Sequence, residues 1–204
     1  LCIQEFNPKA KLGFNYPYKF IKRSEKNGQF GHAIFSKYKI INSESLNFSN
    51  SGNNTIFTDI VKNKDTFRVY NVHLESLKIN PKNENFNQEI SEKLRIRLEN
   101  SFKKQANQSE LIIQHQKQSN FKSIICGDFN NTAFSFVYKK LKRNKNDAFE
   151  VAGQGFGKTY DFPFPLRIDF ILTDKNITVN NFKTFNVNYS DHYPIMARVN
   201  FTAN

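Results

Sequence analysis

Cysteine is nearly absent: only Cys2 and Cys126 occur in 204 residues. Each stands beside apolar residues in a strand-like run, so two buried free thiols are expected rather than a disulfide framework or a cysteine zinc site. Acidic residues are also scarce, 18 against 30 lysines and arginines. The resulting net charge of +12 makes a field that draws polyanions such as nucleic acid or anionic lipid headgroups. A lysine-rich surface that merely solvates the fold is the competing reading of the same composition. No run approaches the roughly 18–20 apolar residues that span a bilayer, and no signal-peptide pattern opens the chain. Internal repeats, long linkers and low-complexity tracts are missing too, and the length suits one domain, residues 1–204. The chain opens inside a strand-like run, Leu1-Cys2-Ile3, from which we expect residues ahead of it. A membrane tether or secretory leader would lie there; otherwise the expected compartment is cytoplasmic.

Short apolar or alternating runs predict strands at Leu1–Ile3, Ala33–Phe35, Ile56–Val61, Phe67–Leu74, Ser123–Cys126, Ile168–Leu172 and Ile195–Val199. Asn63-Lys64-Asp65 separates two of them by so little that a β-hairpin is expected. Between Phe86 and His115 the period changes, with Phe86, Ile90, Leu94, Leu98, Phe102 and Ala106 spaced by four, which predicts an amphipathic helix or a broken pair of helices. A second helix is expected after Asn131-Thr132, with Phe136, Val137 and Leu141 inward and Lys139, Lys140, Lys142 and Arg143 outward. Strands and helices without a regular βαβ alternation point to packed sheets with helices outside.

The polar residues that carry chemistry sit at strand ends. Glu5 closes Leu1-Cys2-Ile3-Gln4-Glu5. Asp128 and Asn130 close Ser123 to Asn130, and residues two apart on extended chain face one side. The same alternation puts Asn71 and His73 on one face. Asp169 stands among apolar neighbours in Ile168-Asp169-Phe170, where an unpaired carboxylate would be costly, so a partner is expected. Ser190-Asp191-His192 sets an acid beside an imidazole just before the last strand. Singly, each reads as a turn residue or a satisfied histidine; together they describe oxygen ligands for a hard cation with imidazoles near a phosphate. Carboxylate-rich, cysteine-free ligation suits Mg²⁺, with Mn²⁺ as substitute, over Zn²⁺.

Five blocks in this order resemble the endonuclease/exonuclease/phosphatase superfamily, the deoxyribonuclease I and exonuclease III type. They are Ile3-Gln4-Glu5, Gly31-His32-Ala33-Ile34-Phe35-Ser36-Lys37, Asn71-Val72-His73-Leu74, Gly127-Asp128-Phe129-Asn130 with Arg167-Ile168-Asp169-Phe170-Ile171, and Ser190-Asp191-His192. Gly153 to Tyr160 resembles a bacterial subgroup whose members often carry transmembrane helices ahead of the domain. The resemblance implies a four-layer α/β sandwich, two packed mixed β-sheets flanked by helices. It also implies a first strand ahead of Leu1 that ends in an asparagine near the metal.

Carried over by position, the resemblance makes Glu5 the principal metal ligand and Asp191 a further acid for metal or water. His192 becomes general base or phosphate stabiliser, with Asp169 orienting it. Asp128 positions or deprotonates the attacking water, Asn130 binds nucleophile or phosphate, and His73 hydrogen-bonds a phosphoryl oxygen. Asn71 and Arg167 are candidate substrate contacts, although an arginine beside a strand carboxylate is as often structural. The implied activity is metal-assisted in-line hydrolysis of a phosphodiester, with DNA as first substrate and a monomeric enzyme. Phospholipid or inositol-phosphate headgroups are the alternative, and a non-catalytic binding module the remote one.

Overall fold

The computed structural model describes residues 1–10, 12–24, 28–78 and 88–201. Its largest sheet has six strands in the order β4-β5-β6-β7-β9-β8. These are β4 (Lys39–Ser45), β5 (Thr55–Lys62), β6 (Asp65–His73), β7 (Lys122–Asp128), β8 (Lys145–Asp147) and β9 (Asp169–Asp174). Only β6 and β7 run parallel, and the connection this needs is supplied by α1 (Gln88–Lys117). The expected hairpin is there: Lys62 pairs with Asp65 around a two-residue turn whose Asn63 takes φ 58°, the left-handed region that asparagine tolerates.

Against one face of this sheet lie β1 (Cys2–Phe6), β2 (Tyr18–Arg23) and β3 (Gly31–Ser36), in the order β1-β3-β2, and the pair β10 (Ile177–Thr184) and β11 (Ile195–Phe201). Ile60, Phe67 and Val69 of the large sheet meet Cys2 and Phe201 there. Cys2 and Cys126 are both free and only partly buried; the Cys126 thiol donates to the Tyr70 carbonyl at 3.4 Å, and the proximity of the two thiols lowers the Cys2 pKa and raises that of Cys126. The opposite face of the large sheet carries the main core. Phe57, Tyr70, Val72, Ile125, Phe170 and Leu172 pack there against Ile112 of α1 and against Val137, Tyr138 and Leu141 of α2 (Phe136–Lys142). A short α3 (Ala148–Ala152) packs on β10 through Ala148, Val179 and Phe182.

Two expectations about the helices are corrected. In α2 the inward positions are Val137, Tyr138 and Leu141, while Phe136 is 65% exposed. Phe136 is the first residue after the N-cap Ser135, so it projects off the end of the packed face. In α1 the expected stripe fails from Phe102, which is 45% exposed; Phe86 and the side chain of Ile90 lie outside the described residues. A spacing of four winds away from a 3.6-residue turn, and the buried line is instead Ser101, Gln105, Gln108 and Ile112. Four strands had no expectation at all. β2 and β4 are lysine-bearing edge strands, β8 has three residues, and β10 is broken by a bulge between Val179 and Asn181.

Candidate active site

Register assembles the site. In the large sheet His73 of β6 pairs with Asp128 of β7, and Asp128 with Asp169 of β9, so three chemically active residues form one row across three strands. The period of two puts all three on the face shared with Asn71 and Cys126, toward the smaller sheets. His73, Asp128 and Asp169 are buried. Gly127 makes the row possible: its φ is +136°, and a Cβ there would come within 2.0 Å of the Val72 carbonyl oxygen.

His192 enters from the segment before β11, half-buried. Its Nδ1 lies 2.9 Å from Asp169 Oδ2, and since a carboxylate only accepts, Nδ1 carries the proton. Its Nε2 then faces Asp128 Oδ2 at 4.0 Å. Burial works against the imidazolium, but the Asp169 hydrogen bond and the charges of Asp169, Asp128 and Asp191 prevail and lift its pKa to about 9. Asp128 is pushed up to about 8, by burial first and then by Asp169, with His192 and the Asn130 N–H opposing and Glu5 adding to the rise. His73 Nε2 is 3.5 Å from Asp128 Oδ2. Burial, with His32 and His192 nearby, drops its pKa to about 3, so it is neutral at ordinary pH.

The turn after β7 is held tightly. Asn130 takes φ 50°, donates its N–H to Asp128 Oδ1 at 2.7 Å and donates Nδ2 to the Leu74 carbonyl at 2.9 Å. Glu5 also has a positive φ, 50°, at a register shift in β1, and its carboxylate is exposed. Asp191 is exposed as well and accepts from Ser190 Oγ at 3.1 Å.

Asn71 and Arg167 are engaged elsewhere. Asn71 is fully buried; its Nδ2 donates to the carbonyls of Ile3 and Ala33 at 2.9 and 3.0 Å, and its Oδ1 accepts from Gln4 Nε2, so it bolts β1 and β3 to the large sheet. Arg167 Nη1 reaches Asp147 Oδ2 at 2.5 Å, and its guanidinium lies over Phe149 and Phe170. Both side chains face protein rather than an open cleft, because each meets a buried polar partner that would otherwise be orphaned.

Three positioning residues escaped sequence reasoning. Thr159 Oγ1 accepts the N–H groups of Ile168 and Asp169, each at 3.0 Å, which fixes where β9 begins. Tyr160 bridges His192 in antiparallel fashion, its ring 5.0 Å from the imidazole. Gln105 of α1 donates to the carbonyls of Glu75, Phe129 and Asn130. The available signal was the Gly153–Tyr160 block for the first two; a glutamine in a helix gives none.

Oxygen and nitrogen atoms of Asp128, Asp169 and His192 lie within 4.8 Å of one another. His192 Nδ1–H is given to Asp169 and the ring is held protonated, so neither nitrogen offers a lone pair and carboxylate oxygens are the available donors. Glu5 makes no hydrogen bond or ion pair among the described residues and still acts on Asp128 through its charge. An oxygen-donor set of this kind fits a hard divalent cation.

One imidazole kept cationic and one carboxylate kept basic, at the meeting edge of two packed sheets, suit hydrolysis of an anionic ester; fold and site together define a deoxyribonuclease I-like phosphoesterase. The chain belongs to the Endonuclease/Exonuclease/phosphatase family, whose model matches residues 1–192. A protein from Enterococcus faecalis of unknown function is similar in structure, with a TM-score of 0.72 at 18% identity over 98% of this chain and 84% of that one. So is humanized TDP2 of D. rerio, with a TM-score of 0.67 at 17% identity, covering 98% and 84%. The mannosyl-6-phosphatase of Bacteroides thetaiotaomicron has a TM-score of 0.61 at 14% identity, covering 91% and 78%. No curated protein matches the sequence. No described helix is long and apolar enough to cross a membrane.

Proposed function

We propose that this protein is a Mg²⁺-dependent phosphodiesterase that cleaves DNA by in-line attack of water, working as a single monomeric domain. The observation that carries the reading is the geometry of the Asp128–Asp169–His192 group, in which His192 Nδ1 lies 2.9 Å from Asp169 Oδ2 while its Nε2 faces Asp128 Oδ2 at 4.0 Å. Asp128, with its pKa near 8, is matched to accept a proton from the attacking water, since a general base works best near operating pH. His192, held protonated by Asp169, faces the phosphoryl oxygens and offsets the negative charge that builds in the pentacoordinate transition state. Neutral His73 adds an N–H donor on the other side of Asp128, and the Asn130 backbone fixes the Asp128 carboxylate through its 2.7 Å bond. Glu5, with Asp191, would hold the divalent cation, which supplies Lewis-acid stabilisation of a phosphoryl oxygen when bound. The net charge of +12 favours a polyanionic substrate over a single headgroup, because each neutralised phosphate adds to affinity.

The decisive experiment is nicking of supercoiled plasmid in Mg²⁺. Nicking lost with a chelator, and reduced roughly 10²–10⁴-fold in His192→Ala, is the expected result. A folded protein that leaves plasmid intact but hydrolyses phospholipid or inositol-phosphate headgroups would replace DNA as substrate. Absence of any turnover would leave only a binding module.

A further inference from the structure

Cys2 and Cys126 are the only cysteines of the chain and take no part in the catalytic row, yet sheet packing brings them together beside it. The period of two puts Cys2 and Gln4 on one face of β1. Gln4 Nε2 meets Asn71 Oδ1, and Asn71 Nδ2 donates to the Ile3 carbonyl at 2.9 Å, so this stretch of β1 lies directly on the large sheet. Asn71 is the register partner of Cys126. Cys2, on the same face as Gln4, reaches the sheet beside Cys126, and both side chains pack against one cluster, Ile60, Phe67 and Val69. Both are partly buried, so neither is sealed from solvent. Two small apolar side chains would fill this space equally well; a pair of thiols adds chemistry that they would not.

Cys126 stands two residues before Asp128 in β7, and Cys2 three before Glu5 in β1. Glu5 takes φ 50° where the ladder to β3 shifts register between Ile3 and Phe6. Such a shift leaves backbone groups out of the ladder, so that end of β1 is held by fewer bonds. A covalent bond from Cys2 to Cys126 would span the two sheets there and close more than half the chain into one loop.

We propose that Cys2 and Cys126 form a reversible thiol–disulfide site, closed by a small-molecule disulfide and reopened by a thiol, that fastens the strand bearing Glu5 to the strand bearing Asp128. The nearby Cys126 thiol holds the Cys2 pKa below the usual thiol value, which makes Cys2 the attacking thiolate. Its sulfur bonds to one sulfur of the small disulfide, whose own S–S bond breaks and releases one thiolate. Cys126 gives up its proton and attacks Cys2 Sγ; the mixed disulfide breaks and releases the second thiolate. Two protein thiols are oxidised, the small disulfide is reduced to two thiols, and the two protons end on the leaving sulfurs through solvent. The inference goes beyond the hydrolytic reading and holds whatever ester the site cleaves.

The test places wild-type protein in excess oxidised glutathione and reads its intact mass. The expected product is a monomer lighter by two hydrogens, with no free thiol after denaturation. Closing so long a loop should raise Tm by roughly 10 °C. Amide exchange in the β1 peptide that contains Glu5 should slow about tenfold, because the link suppresses local opening of the strand. Dithiothreitol should reverse all of these changes. Cys126→Ser in the same oxidant should carry glutathione on Cys2 and show neither the rise in Tm nor the slower exchange. A disulfide-linked dimer, glutathione retained on Cys2 of the wild type, or two thiols that stay free would each overturn the site. So would an internal disulfide that leaves Tm and β1 exchange unchanged, since it would fasten nothing. None of these readouts uses turnover, so they stand or fall apart from the plasmid assay.

Discussion

Asp147 and Asp128 are both buried on the six-stranded sheet, yet their surroundings differ in kind. Asp147 accepts from Arg167 Nη1, from the Tyr138 hydroxyl at 2.6 Å and from the Phe149 N–H at 2.9 Å. Asp59 is treated alike, gripped by Arg68 Nε and Nη2 at 2.7 and 2.8 Å. Each of these carboxylates has a guanidinium of its own. Asp128 has none: its neighbours are a neutral His73, another carboxylate, and an imidazolium already committed to Asp169. The first kind of burial is complete and inert. The second leaves a carboxylate that prefers its proton, the condition a general base needs.

The comparison breaks at its strongest point with Arg167→Ala. Leaving Asp147 charged and unpaired in the interior should cost about 3–5 kcal/mol of stability, measured by urea denaturation, while turnover per folded molecule at a permissive temperature stays near wild type. A loss of turnover without a loss of stability would make Arg167 a substrate contact after all.

Asp128→Asn should do the reverse. Activity should fall roughly 10²–10⁴-fold, yet the metal-free variant should be the more stable protein at alkaline pH. The folded pKa of Asp128 lies near 8 against a model value of 3.8, so the folded state binds the extra proton between those limits. Its carboxyl therefore weighs increasingly against folding as pH rises from about 4 to 8. The stability difference between variant and wild type should widen over that window and then flatten, at roughly 2–4 °C of Tm for each kcal/mol. A variant less stable than wild type at pH 8.5 would mean Asp128 is as well satisfied as Asp147.

The smallest effect sharpens the boundary between the two kinds. Thr159→Val deprives two buried N–H groups of their shared acceptor, and about 1–3 kcal/mol of stability should go with it. Because one of those groups is that of Asp169, kcat should also drop, with KM little changed. Stability lost with kcat intact would show that the start of β9 is held in place without Thr159.

Seven strands, the hairpin at Asn63-Lys64 and both longer helices were legible because alternation and turn chemistry are local. The edge strands β2 and β4 were hidden because one exposed face lets lysine replace the apolar half of the pattern, and the buried face of α1 was hidden because it is built from Ser101, Gln105 and Gln108. Those amides serve the backbone ends of other segments, a demand that exists only once the segments have met.

Composition and local order determined that this chain is a basic α/β protein with acids and imidazoles at strand ends, since hydrophobic period, charge and residue type are properties of short stretches. Membership of the family was legible for the same reason, in motifs a few residues long. Tertiary structure alone decided that Asn71 and Arg167 face inward to partners and that Thr159, Tyr160 and Gln105 position the site. It also decided the protonation of Asp128 and His192, because a pKa depends on which charges lie within a few ångströms and on how much water burial removes. Neither is settled until strands distant in the chain lie side by side.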